Sequence, residues 1–76
     1  MKIVITGAAG FLGSFLSEEF LNGNYDVVGV DNFFRGKQQY LPEHNNFKFS
    51  KIDLARQPEK ITELIEKEQP SFYFIS

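Results

Sequence analysis

The sequence has no cysteine and no apolar run close to the about 20 residues that a membrane-spanning helix needs. The first absence excludes disulfide bonds and thiolate metal sites, and the second predicts a protein without membrane segments. The chain also lacks a large excess of charge of one sign, because its 8 Lys and Arg residues are interspersed with 10 Asp and Glu residues. Nucleic acid and anionic membranes are therefore poor candidate partners. No signal peptide is present at the N-terminus, so we expect a soluble, cytoplasmic protein with no metal site.

What is present is enough for one small domain over residues 1–76. Hydrophobic residues make up 42% of the chain, which is sufficient for a core and too much for a disordered segment. Aromatic residues reach 16%, and nine of them are Phe. A few large side chains must therefore supply much of the buried area.

Apolar periodicity predicts an alternation of strands and helices. Such an alternation is typical of a parallel sheet with right-handed crossovers and helices on both faces. The fold class expected is α/β, half of a doubly wound Rossmann fold with strand order 3-2-1-4. The predicted elements are a strand over 2–6, a helix over 10–22, strands over 25–31 and 47–53, a helix over 57–68 and a strand over 71–76.

The first predicted helix has six large apolar residues at steps of one to four positions. This spacing predicts one broad apolar face on the helix. The six are Phe11, Leu12, Phe15, Leu16, Phe20 and Leu21.

Three glycines, Gly7, Gly10 and Gly13, follow the first strand in the stretch "KIVITGAAGFLGSFLSEEF". Gly7 allows a sharp exit from the strand, Gly10 allows a ligand to approach bare main chain, and Gly13 allows close packing of helix on strand. The helix N-terminus then offers N–H groups and partial positive charge to a pyrophosphate. An ordinary tight turn that needs glycines is the alternative.

Asp31 ends the second predicted strand, where an acidic residue accepts hydrogen bonds from the ribose hydroxyls of a bound adenosine. A carboxylate there repels a 2′-phosphate, which favours NAD over NADP, although Arg35 and Lys37 lie close enough in sequence to blur that preference. The alternative is an Asp that only caps the strand. Phe33 and Phe34 are expected to anchor the following loop to the sheet.

Asp53 ends the third predicted strand at the same edge of the sheet. Its carboxylate could bond the amino group of an adenine, with Leu54 packing on the ring. A turn or cap residue before the second helix is an equally good interpretation of Asp53.

The stretches "TGAAGFLGS" (6–14), "VGVDNFFRGK" (28–37) and "IDLA" (52–55) resemble the N-terminal part of an extended short-chain dehydrogenase/reductase. The NAD-dependent epimerase/dehydratase family of nucleotide-sugar enzymes is the most similar. The resemblance implies a tightly bound NAD, which is transiently reduced while C4 of the sugar is oxidised to a ketone. It also implies Gly7, Ala9, Gly10, Phe11 and Leu12 around the pyrophosphate, Asp31 and Asn32 at the adenosine ribose, and Asp53 and Leu54 at the adenine.

The sequence departs from that family at the catalytic positions. The family uses a Tyr-x-x-x-Lys pair, in which the lysine lowers the tyrosine pKa so that it can act as a base. Here Tyr25 is followed four residues later by Gly29, Tyr40 by His44, and Tyr73 by no residue. We therefore expect a truncated NAD-binding domain without catalytic residues.

Three functions remain open. The chain could be the adenosine half of a nucleotide-sugar epimerase or dehydratase without turnover of its own, or a stand-alone module that binds NAD or AMP. It could also be a self-associating structural remnant that binds no ligand. The last predicted strand is apolar and uncharged, so we expect a homodimer through edge strand 71–75.

Overall fold

The computed structural model describes residues 1–33 and 37–74. No helix within these residues is long and apolar enough to cross a membrane. Four strands and two α-helices alternate along the chain, and a short 3₁₀ helix at Gln38–Tyr40 lies between the second and third strands. The elements are β1 (Lys2–Thr6), α1 (Phe11–Asn22), β2 (Asp26–Asp31), β3 (Phe47–Lys51), α2 (Pro58–Glu68) and β4 (Phe72–Phe74).

The four strands form one parallel sheet in the order β3-β2-β1-β4. β1 and β2 occupy the centre, and Ile3 of β1 lies beside Val27 of β2. Ile5 pairs on its other side with Phe74 of β4. The parallel sheet and the strand order predicted from the sequence are confirmed.

The two central strands are apolar on both faces, which is why helices cover both sides of the sheet. On one face, Ile3, Ile5 and Val27 form a core cluster with Leu21 of α1. The opposite face has a second cluster, against which α2 packs. Its members are Val4, Val28, Val30 and Ile52, with Ile61 and Leu64 of α2 packed against them.

Three strand ends differ from the sequence prediction, and local hydrogen bonds explain two of them. β2 begins after Tyr25 because the N–H of Tyr25 donates to the carbonyl of Phe20 at the end of α1 (3.0 Å). β3 ends at Lys51, and Asp53 lies in the turn that follows. β4 begins at Phe72 and not at residue 71, and predicted strand residues 75 and 76 lie outside the described part of the chain.

The prediction that α1 has a single broad apolar face is wrong for its first turns. Phe11, Leu12 and Phe15 are 89%, 53% and 56% exposed, and the buried residues of the helix are Gly13, Ser17 and Leu21. Small residues are turned to the sheet because the helix runs close to the strands. Apolar periodicity alone does not show which side of a helix is covered.

The closest contact between α1 and β1 lies at Gly13. A methyl group at that position would lie 2.7 Å from the carbonyl carbon of Gly7 and 2.9 Å from Cα of Ala8. Gly7 itself has φ 70°, a left-handed conformation that glycine adopts without strain. These two glycines let the chain leave β1 and start α1 directly over the end of the strand.

Replacement of Gly13 by alanine is therefore expected to lower the free energy of unfolding by about 1 to 3 kcal/mol, because backbone atoms cannot yield to the added methyl group. Gly23→Ala is the matched control, since its nearest neighbours would be 3.5 Å away and its φ is −87°. The control should change stability by less than about 1 kcal/mol. Urea unfolding measures both, and equal stability of the two variants would contradict the close contact.

The end of α2 is tied to the sheet by Glu68, whose side chain is 7% exposed. Nζ of Lys2 on β1 lies 2.8 Å from Oε1 of Glu68, and Nζ of Lys48 on β3 lies 3.3 Å from the same oxygen. The hydrogen bond from Lys2 lowers the pKa of the Glu68 carboxyl below its ordinary value of 4.5, and Lys48 acts in the same direction against partial burial. The cluster thus joins a central strand, β1, and an outer strand, β3, to one helix end.

A carboxyl whose pKa is lowered in the folded state stabilises the protein above its unfolded pKa and loses that contribution as the pH falls through the folded value. Glu68→Gln should therefore lower the free energy of unfolding at pH 7 by about 1 to 3 kcal/mol. The difference from the wild type should shrink as the pH falls below 4.5. Glu66→Gln, at an exposed position of the same helix, serves as the control. A pH-independent difference would contradict the role of the Glu68 charge.

Candidate functional site

The carboxyl ends of β1, β2 and β3 meet at one edge of the sheet, as they must in a parallel sheet. There the structure brings together residues that lie far apart in the sequence, around a hollow of about 200 Å³. Ligands of open α/β sheets bind at this edge. The hollow is lined by Gly7, Val30, Asp31, Asn32, Ile52, Asp53, Leu54 and Ala55.

The first turn of α1 stands beside this hollow with its N–H groups uncapped by any side chain. The N-cap residue is Gly10, whose own N–H donates to the carbonyl of Gly7 (3.0 Å). α1 has no acidic residue in its first turn, so no carboxylate of the helix competes for its positive end. Phe11 and Leu12 in this turn are 89% and 53% exposed and are not packed in the core.

Asp31, at the end of β2, is held by two backbone donors. The N–H of Ala9 donates to Oδ2 (2.9 Å), and the N–H of Phe33 donates to Oδ1 (2.7 Å). A carboxylate has about four lone-pair sites, so each oxygen keeps the capacity to accept one further bond. The geometry therefore leaves room for two hydroxyl donors at Asp31.

Ala9, in the glycine turn, is fully buried, and both of its backbone polar groups form hydrogen bonds. Its N–H is directed to Asp31, and its carbonyl accepts from the N–H of Lys37 (3.1 Å). Ala9 was predicted at the pyrophosphate from the family resemblance. In the structure its backbone connects the glycine turn to Asp31 and to the loop beyond β2.

Asp53 has the turn role that the sequence left open. Its Oδ1 accepts from the N–H groups of Ala55 (3.0 Å) and Arg56 (3.2 Å), which bends the chain towards α2. The same residue lines the hollow, so this turn also places Asp53 at the site. Leu54 packs against the second core cluster beside Ile52, and both supply apolar wall.

The loop after β2 is anchored to the sheet through Phe33, as the sequence predicts, whereas Phe34 lies outside the described residues. The Phe33 ring packs on Phe49 of β3, with ring centroids 5.1 Å apart. Nζ of Lys51 lies 5.9 Å from the centroid of the Phe33 ring, a contact that sequence reasoning missed. Its only signal was the position of Lys51 on the same side of the strand as Phe49.

A second hollow, of about 290 Å³, lies at the opposite edge of the sheet between the starts of β1, β2 and β3. Its lining includes Lys2 and Lys48, and both ammonium groups already bind Glu68. None of the site residues predicted from the sequence lines it. The chemistry expected from the sequence is therefore concentrated at the other edge.

Comparison with known protein families identifies the family of the chain. The model of the NAD-dependent epimerase/dehydratase family matches residues 3–75. The chain belongs to that family. The cofactor predicted from the sequence, NAD, is the one in the family's description.

Related sequences act on nucleotide sugars. A UDP-N-acetyl-alpha-D-glucosaminuronate decarboxylase of Bacillus cytotoxicus is 48% identical over 42 residues, which is 55% of this chain and 13% of that protein. A UDP-glucose 4-epimerase of Mycolicibacterium smegmatis is 34% identical over 97% of this chain and 24% of that protein. The chain thus spans no more than a quarter of the length of these relatives.

Solved structures show the same fold over nearly the whole chain. The Bordetella bronchiseptica enzyme WbmH, solved in complex with NAD⁺, superposes with a TM-score of 0.91 at 33% identity, covering 99% of this chain and 25% of that one. The UDP-glucose 4-epimerase of Thermotoga maritima, solved with UDP-glucose, gives a TM-score of 0.87 at 29% identity over 100% of this chain and 24% of that one. The Rossmann fold predicted from the sequence is confirmed.

Proposed function

We propose that the chain is the part of a nucleotide-sugar epimerase or dehydratase that binds the adenosine and pyrophosphate of NAD, within a single domain over residues 1–76. One observation carries this proposal. The predicted site residues Gly7, Asp31, Asn32, Asp53 and Leu54 line one hollow beside the uncapped start of α1. Family membership supports the same cofactor.

The glycine turn and the first turn of α1 are suited to the pyrophosphate. N–H groups of Phe11, Leu12 and Gly13 open the helix, where intrahelical acceptors are absent and the helix dipole is positive. Gly7 and Gly10 leave the approach to these groups free of side chains. An anion at this position would gain hydrogen bonds without displacing any carboxylate of α1.

The hollow itself is suited to the adenosine. Its volume of about 200 Å³ is below the about 300–1,000 Å³ of pockets that enclose drug-sized ligands, which is consistent with a site for one part of the cofactor. Val30, Ile52 and Leu54 supply apolar wall for a base, and Asp31 keeps two acceptor sites for ribose hydroxyls. The Asp31 charge opposes a 2′-phosphate, which favours NAD over NADP.

NAD bound in this family supplies a nicotinamide that exchanges a hydride with the sugar. Residues of this chain would hold the other half of the cofactor and would not turn over substrate by themselves. Tyr25 packs edge-on against Phe20, with ring centroids 5.0 Å apart, before the start of β2 and away from the hollow. Tyr25 and Tyr40 are followed four residues later by Gly29 and His44 and not by lysine, so neither has the partner that would activate it as a base.

Isothermal titration of the purified chain with NAD, AMP and NADP tests the proposal. NAD and AMP should bind with similar affinity, because the residues present contact only the part that the two ligands share. NADP should bind at least about tenfold more weakly through repulsion by Asp31. Asp31→Ala should weaken NAD about tenfold or more, through the loss of a charged acceptor.

Asp26→Ala is the matched control for that variant. Asp26 is exposed and begins the same strand at the opposite edge of the sheet, so its removal should leave NAD affinity unchanged. A folded chain that binds neither NAD nor AMP would overturn the proposed function. The glycine turn would then serve the fold alone.

We further propose that the chain self-associates through β4, in the predicted segment 71–75, of which residue 75 lies outside the described part. β4 lies at the end of the sheet order and pairs only with β1 among the described strands. Its residues Phe72 and Tyr73 are 39% and 56% exposed, and Phe72–Phe74 has no charge. An uncharged edge is a template for another strand, and a twofold axis makes that pairing antiparallel.

Tyr73→Lys should convert the dimer to a monomer, because a charge on the pairing strand would be repelled by its symmetry mate and would lose water on pairing. Tyr40→Lys, in the 3₁₀ helix at 47% exposure, is the control and should remain dimeric. Sedimentation equilibrium measures the molar mass of both variants. A folded Tyr73→Lys chain that is still a dimer would exclude β4 as the interface.

A further inference from the structure

We propose that Phe33 is a positioning residue for recognition of the ribose 2′-hydroxyl, which it serves by fixing the Asp31 carboxylate. The inference rests on the proposed function and deepens it. Phe33 does not belong to the lining of the adenosine hollow as the described residues define it, whereas Asp31 does. We therefore assign the effect of Phe33 on the ligand to its hydrogen bond with Asp31.

The first step is the hydrogen bond between the two residues. The backbone N–H of Phe33 donates to Oδ1 of Asp31 at 2.7 Å, and the Ala9 bond holds the other oxygen. With one donor on each oxygen, rotation of the carboxylate about its Cβ–Cγ bond would break both bonds. The remaining lone pairs thus have a defined direction before any ligand arrives.

The second step is the backbone conformation that relates this N–H to the Phe33 ring. Phe33 has φ 64°, in the left-handed region that bulky side chains rarely occupy. A residue in this region returns to extended or right-handed backbone unless its surroundings hold it there. Because φ sets the direction of the side chain relative to the peptide group, such a return could not keep both the N–H on Asp31 and the ring in its present place.

The third step is the set of ring contacts that hold the backbone of Phe33 in this conformation. The Phe33 ring packs on Phe49 with centroids 5.1 Å apart and an interplanar angle of 36°. The ammonium of Lys51 lies 5.9 Å from the same ring, within the range of a cation–π contact. Asp31 and Lys51 are paired neighbours in the sheet, so the ring is fixed to the strand next to the carboxylate that its backbone orients.

Titration with AMP and 2′-deoxy-AMP separates this role from general structure. The two probes differ only in the ribose 2′-hydroxyl, which is one of the two hydroxyls that would donate to Asp31. The wild-type chain should prefer AMP by about tenfold or more, the effect of one hydrogen bond to a charged group. Phe33→Ala should reduce that preference at least about threefold, because the ring contacts that hold the backbone are lost. Phe33→Tyr keeps the ring and should retain the full preference.

Phe15→Ala is the matched control, since it removes the same ring from an exposed position on α1. It should leave the ratio of the two affinities unchanged. Should Phe33→Ala fail to fold, Lys51→Met and Phe49→Leu remove the partners of the ring without altering position 33. Both should lower the preference for AMP in the same direction.

The outcomes distinguish this inference from the proposed function. A Phe33→Ala chain that binds both probes more weakly by the same factor would overturn the positioning role, since the ring would then act only on the fold. A wild-type chain that binds AMP and 2′-deoxy-AMP equally would overturn it as well, while nucleotide binding stands. A folded wild-type chain that binds neither probe would overturn both.

Discussion

Because Gly13 has no side chain, the first turn of α1 lies against the backbone of Gly7 and Ala8. This contact fixes where the helix starts relative to the end of β1. The N–H groups of the helix start consequently face the same edge of the sheet as Asp31. A helix displaced by even the width of a methyl group would move these N–H groups relative to the carboxylate. The site therefore depends on backbone packing before it depends on any polar side chain.

The same contact explains the composition of α1. A helix that runs this close to a strand can present only small residues at its start, and Gly13 and Ser17 occupy that side. Ser17 remains compatible with burial because its hydroxyl donates to the carbonyl of Gly13 (2.8 Å). Large side chains reach the core only further along, where Leu21 joins Ile3 and Ile5. Phe11 and Phe15 are left on the outer side for geometric reasons and not because they are polar.

The sequence was sufficient for properties that depend on local pattern. Alternating apolar segments and the spacing of Gly7, Gly10 and Gly13 predicted the strands, their order and the turn. Contacts between positions far apart in the chain leave no such pattern in the sequence. The bond from Ala9 to Asp31 requires the turn after β1 to lie beside the end of β2, and the ring of Phe33 meets Lys51 only through the register of β2 with β3. The sequence also did not predict which side of α1 is buried. Apolar periodicity shows where a stripe lies on the helix, but it does not show how close the helix comes to the sheet.

Burial is concentrated on the two central strands. β1 and β2 have side chains that are at most 2% exposed, such as Val4, Ile5 and Val28, whereas the β4 residues Phe72 and Tyr73 are largely open to water. Regions with few buried contacts open first, so β4 should separate from the sheet more readily than the centre. The proposed adenosine site is built on the ends of β1, β2 and β3, and the close backbone contact beside it joins Gly13 to Gly7 and Ala8 in the turn after β1. The proposed nucleotide site and the proposed pairing strand thus lie on different parts of the sheet, so a change at β4 would alter the proposed assembly while Asp31 keeps its two donors.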